Sequence, residues 1–171
     1  MLVQITKKAD GSGVLRCVRA DGSVTWQKQT DRHAAYFSLH DLTHFAVETT
    51  LGIRRGFFGL IAEGWDIEDT TGKGARGPLP PEAGEAEMIV GVFSAERAGG
   101  QIWTVEEFNE CAAMTGVRTL TFDEIVRVKK KRSELFQQWS AVEPGATLEL
   151  TYEPAAGEAC LAPTTRSAPS V

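Results

Sequence analysis

The residues best suited to chemistry stand close together at His40-Asp41-Leu42-Thr43-His44, with Glu48 one turn further on. Residues four apart share one face of an α-helix, their Cβ atoms about 5–6 Å apart. Two imidazoles so placed can meet at one metal ion, with metal–nitrogen bonds of about 2.0–2.1 Å. Glu48 is too far from His40 to join them, about 12 Å along a helix axis. It suits a different task, accepting a hydrogen bond from His44 and so fixing the tautomer of that ring. A third ligand has to come from elsewhere, and two residues qualify: Glu63, near the end of the following helix, and His33, in the loop that leads into the His helix. The chain has 3 histidines, and all of them, His33, His40 and His44, belong to this one stretch. Zinc is the default divalent ion for imidazole and carboxylate ligands, with iron or manganese also suited.

The segment resembles the HExxH helix of zinc metallopeptidases, with Asp41 where those enzymes carry glutamate. Glu63 follows His44 at close to the spacing with which the thermolysin-like group supplies its glutamate ligand. The resemblance covers about 24 of 171 residues. It implies zinc on His40, His44 and Glu63, Asp41 as general base, and a metal-dependent hydrolase acting on a small-molecule or peptide substrate. Aspartate is one methylene shorter than glutamate, so the carboxylate sits further back from a water it would activate, and base catalysis depends on reach.

A competing reading needs no metal. Ser38 can cap the His helix with Asp41 at the third helical position, which explains an acid there as half of a capping box. His44 and Glu48 are then an ordinary pair on a helix surface. On that reading the chain is a non-enzymatic binding or assembly module. Its histidines are structural, and an apolar surface docks a protein partner or a second copy.

The elements that must position these residues are readable from periodicity. Leu2 to Lys7, Val14 to Arg19 and the run from Val24 read as a strand meander, with Asp10-Gly11 and Asp21-Gly22 in the turns between them. From Ser38 the period lengthens to that of a helix, which ends before Gly52. Leu39, Leu42, Phe45 and Ala46 make one apolar face; Val47 and Leu51 lie opposite, beside the histidines, so this helix is expected to be covered on two sides. A second helical run spans Arg54 to about Trp65, with Gly56 and Gly59 forming a smooth face that another backbone can approach. After the Gly- and Pro-rich loop 66–81, three more helices follow. One starts at Pro81. The others open with the capping boxes Thr104 to Glu107 and Thr121 to Glu124. Ala146 to Tyr152 alternates once more and reads as a late strand returning to the meander. The expectation is an α+β fold: an N-terminal antiparallel meander, joined by that strand, packed with a bundle of about five helices. Residues 1–152 read as a single domain and 153–171 as a disordered Pro/Ala/Ser-rich tail.

Composition narrows the function further. A formal net charge of -5 and a pI near 5.3 argue against nucleic-acid or membrane-surface binding, which need a basic face. The basic run Lys129-Lys130-Lys131-Arg132 lies on an amphipathic helix and reads as a solvated face. Cys17, Cys111 and Cys160 are far apart and odd in number, which fits a reducing, cytoplasmic compartment rather than a disulfide framework. No signal peptide or membrane span is visible.

Overall fold

The computed structural model describes residues 1–28 and 34–153. His33, Cys160 and, Glu153 aside, the expected tail at 153–171 lie outside the described residues. The first three strands are β1 (Leu2–Lys7), β2 (Gly13–Val18) and β3 (Val24–Lys28). Their connections turn at Gly11 and Gly22, at φ of 80° and 82°, where an L side chain would be strained. Asp10 and Asp21 accept from the backbone and hydroxyl of the serines two residues on, which sets each turn. Strand β4 (Thr147–Thr151) pairs with the free edge of β1, giving an antiparallel sheet of order β3-β2-β1-β4. Val3 opposes Cys17 and Leu150, and Ile5 opposes Leu15 and Leu148, so one face of the sheet is apolar and the other polar.

Among the described residues there are five α-helices, α1 (Ala34–Leu51), α2 (Phe57–Ala62), α3 (Pro81–Gly99), α4 (Val105–Met114) and α5 (Phe122–Ala141), of which α1, α2 and α5 pack on the apolar face. This is the α+β sheet and helical bundle that the periodicity implies. Both capping boxes form, Thr104 with Glu107 and Thr121 with Glu124. Helix α1 runs through the middle. Leu42, Phe45 and Ala46 pack on the sheet together with Phe58, Leu135 and Trp139. On its other side Val47 joins a second cluster with Ile89, Phe93, Phe108 and Val128. Every residue from Asp41 to Glu48 is buried. The polar side chains in that stretch must therefore find partners inside the protein.

Two boundaries differ from the sequence reading. Helix α1 begins at Ala34 rather than after Ser38. Alanine and the aromatic Tyr36 and Phe37 give no reason to stop, so Ser38 is interior and fully buried, and Asp41 is no part of a capping box. Helix α2 is shorter than Arg54–Trp65, because Gly56 is its N-cap. The smooth face of Gly56 and Gly59 is real and filled. A Cβ on Gly56 would collide with the Glu48 carboxylate, and one on Gly59 would collide with the Arg54 carbonyl oxygen.

These contacts separate glycines that are needed from glycines that are not. Gly59→Ala should destabilise the protein by about 1–3 kcal/mol, the usual range for overpacking. Gly84 lies within α3, with open space where a methyl group would stand. Changing it to Ala should stabilise by about 0.5–1 kcal/mol. Urea denaturation of both variants checks the order, and equal effects would contradict the packing described.

Candidate metal centre

His40 and His44 lie on one face of α1 with ring centres 4.8 Å apart. The carboxylate that meets them comes from Glu87 on α3. One ligand atom from each of His40, His44 and Glu87 can be chosen so that all lie within 4.8 Å of one another. Nε2 of His44 is 3.3 Å from Oε1 of Glu87. That separation is what two ligands of one tetrahedral ion require, about 3.3 Å for bonds of about 2.0–2.1 Å.

The position of the His44 ring is set by Glu48. Nδ1 of His44 is 3.3 Å from Oε1 of Glu48, the orienting role read for Glu48 from its spacing. The same carboxylate accepts from the backbone N–H groups of Phe58 and Gly59, at 3.3 and 3.1 Å, and from the Tyr152 hydroxyl at 3.2 Å. Since Glu48 only accepts, Nδ1 of His44 is the donor and Nε2 is left facing Glu87. Nε2 is buried and makes no hydrogen bond of acceptable direction, despite its 3.3 Å approach to Glu87. At that nitrogen, beside a carboxylate and a second imidazole, either a proton or a metal ion could sit.

Electrostatics distinguish the two rings. Burial pulls the His44 pKa down, but the Glu48 contact at Nδ1, the close approach of Glu87 at Nε2 and the negative charges of both outweigh it, and the value rises to about 9. His40 goes the other way: burial, and then the neighbouring charge on His44, lower it to about 4. The Glu87 carboxyl is held below its usual value, its contacts with His44 prevailing over burial.

Glu63, named from the sequence as a ligand, stands elsewhere. Its carboxylate receives Nε of Arg55 at 3.0 Å and is substantially exposed, and the carboxylate grouped with the two histidines is that of Glu87. The short α2 ends at Ala62, which leaves Glu63 at its C-cap and facing the α1–α2 loop. Glu87 carries little sequence signal. It flanks the apolar stripe Ala83, Ala86, Val90 and Phe93 of α3 and is itself about half exposed, so the pattern marks only an acid at the edge of a buried face. Asp41 is buried and lines the same cavity as His40, His44 and Glu87, about 200 Å³ in volume. Ile67, Thr70 and Thr71 close that cavity from the long loop 66–81. The loop is held by Thr25, whose hydroxyl accepts from Ile67 N at 3.1 Å, and by Arg19, which donates to Ile61 O at 2.7 Å and Asp66 at 3.0 Å. Cys17 lies on the apolar face of β2, its thiol pushed up to about 12 chiefly by burial and further by the charge of Asp41, so it is a packing residue.

Compared with protein-family models, with curated proteins and with solved structures, the chain matches none. Among the described residues no helix is long and apolar enough to cross a membrane.

The two pKa values make metal binding a proton-releasing event. In the metal-free protein at pH 7, His44 holds its extra proton and His40 does not. An ion taking Nε2 of His44 should therefore expel close to one proton at pH 7, falling toward none above about pH 10. Apparent affinity should rise with pH through that window and level off above it. Titration calorimetry in buffers of different ionisation enthalpy measures this directly, and zero release at pH 7 would contradict a protonated His44.

Proposed function

We propose that this chain is a divalent-metal protein whose ion is held by His40, His44 and Glu87, and that it acts as a metal-dependent hydrolase. The observation that carries the reading is the buried, unbonded Nε2 of His44, facing Glu87 and beside the second imidazole. Two imidazoles and one carboxylate favour zinc. Three protein ligands leave one coordination position, and the cavity lined by Asp41, Phe37 and Thr71 borders the cluster; sites that keep a position free are the catalytic kind. A zinc ion held there would supply Lewis acidity toward water and toward a carbonyl or phosphoryl oxygen. The chain's own part is definite. Glu48 keeps the His44 ring in one tautomer, the wall of Phe37, Phe57 and Ile67 limits water, and Asp41 is the cavity carboxylate that would take a proton from the attacking water.

A second reading is favoured by the raised pKa of His44. A protonated ring between Glu48 and Glu87 is a complete ion triad, and a non-enzymatic module would need nothing more.

Metal content separates the two. Protein prepared without a His tag and loaded with zinc should retain near one equivalent after dialysis, and His40→Ala or His44→Ala should lose it. Glu87→Gln should weaken binding at least about tenfold, whereas Glu63→Gln should leave it unchanged. Wild type that retains no ion would overturn the proposal in favour of the module. If the ion is retained, a hydrolase screen on ester, amide and phosphoester substrates should show activity that falls at least about a hundredfold in Asp41→Asn with metal content unchanged, the usual worth of general-base catalysis.

A further inference from the structure

The basic run on α5 is solvated at Lys130, but Lys129 and Arg132 turn inward. Nζ of Lys129 lies 2.5 Å from Glu96, and Arg132 reaches Glu96 at 3.2 Å and the Phe93 carbonyl at 2.6 Å. Glu96 is buried, and its Oε1 also accepts from Trp103 N at 3.0 Å. One carboxylate is thereby fully used in fixing two cations between α3 and α5. A third cation, Arg97, stands beside them and gets nothing from it.

The Arg97 guanidinium is held by rings alone, 5.4 Å from the centre of Tyr36 and 6.0 Å from that of Phe136. Arg132 approaches the same Phe136 ring, also at 6.0 Å. No described residue offers the Arg97 guanidinium a hydrogen bond or a carboxylate. Stacking fixes the plane of a guanidinium and leaves its fork of donors available. Arg132 has Glu96 as its counter-ion at 3.2 Å, so the charge of Arg97 is the one without a carboxylate among the described residues. The cleft they border has a volume near 340 Å³ and is also lined by Lys129, Ser133, Gln137 and Ser140. It thus carries cations, hydroxyl and amide donors, and an aromatic wall. It shares no lining residue with the cavity at the histidines, and Glu87 and Arg97 are ten residues apart on α3, about 15 Å along the helix, although Tyr36 touches both Arg97 and His40.

We infer that the cleft between α3 and α5 is a binding site for a small phosphomonoester, its phosphate received by Arg97 with Lys129 and Arg132, and its organic part lying on Phe136. A dianion is called for because three cations share only one carboxylate. Phosphate fits donors converging from several directions, and guanidinium groups bind it bidentately. In a chain with formal net charge of -5, a preformed basic cleft also concentrates a small anion where the rest of the surface repels it.

The test is an NMR titration of 15N-labelled, chelator-treated protein with inorganic phosphate and, separately, phenyl phosphate. Saturable shifts should centre on Arg97, Ser133 and Gln137, with phenyl phosphate binding at least about threefold tighter than inorganic phosphate. Arg97→Gln should weaken both at least tenfold. Gln137→Glu, a near-isosteric change at an exposed position, should do the same by placing an anion in the cleft. Lys130→Gln, which removes an exposed charge from the same helix, should change affinity less than twofold. Melting temperatures of the variants establish that each is folded. Equal weakening by Arg97→Gln and Lys130→Gln would mean diffuse attraction and overturn the site. Binding of inorganic phosphate alone, with no gain for the phenyl ester, would overturn the phosphomonoester assignment.

Discussion

A single buried carboxylate, that of Glu48, ties together the parts on which the site depends. It accepts from His44 on its own helix, from two backbone N–H groups at the start of α2, and from Tyr152 just after β4. The α2 N-cap is Gly56, which has no side chain with which to satisfy those donors, so the orphan N–H groups of a helix start are met from a neighbouring helix. The fit is mutual, since any side chain at Gly56 would strike Glu48. A charged group can be buried at this depth only when its surroundings donate hydrogen bonds. Four donors from three elements do so here, and in return they fix α1, α2 and the end of the sheet relative to one another.

The grouping of His40, His44 and Glu87 is linked to the same burial. A helix with water on one side could leave its histidines solvated. Helix α1 has the sheet on one flank and α3, α4 and α5 on the other, so the fully buried ring of His44 must be satisfied within the protein, while that of His40 is partly buried. Glu48 serves one nitrogen of His44, and the other nitrogen meets the carboxylate that α3 delivers. Opposite shifts of the two imidazole pKa values follow from position: His44 is flanked by two carboxylates that outweigh its burial, and His40 is lowered by burial first and then by its cationic neighbour.

Much of this is legible in the amino-acid sequence. Alternation in Leu2–Lys7, Asp-Gly in both turns and two capping boxes specify their elements locally, and each is found where the pattern puts it. The pairing of His40 with His44, and the role of Glu48, follow from helical spacing alone. What spacing cannot provide is the partner across space. Glu63 and Glu87 are both acids on helices, and the choice between them depends on how α2 and α3 dock against α1. Ser38 misleads at the start of α1 because it is a good capping residue, yet packing carries the helix through it. The basic run on α5 misleads for a similar reason. A charge pattern shows where cations are, but not that a buried Glu96 lies across from two of them.

The pairing of β4 with β1 has a further implication for how the molecule is made. Strand β1 and helix α1 emerge from the ribosome early, but the strand that closes the sheet, and the tyrosine that completes the Glu48 cage, are synthesised more than a hundred residues later. Contacts so distant along the chain slow folding. Until they form, one edge of β1 is open to pairing with other chains. Nascent protein should thus pass through a window in which the histidine helix exists but its orienting carboxylate is only partly held.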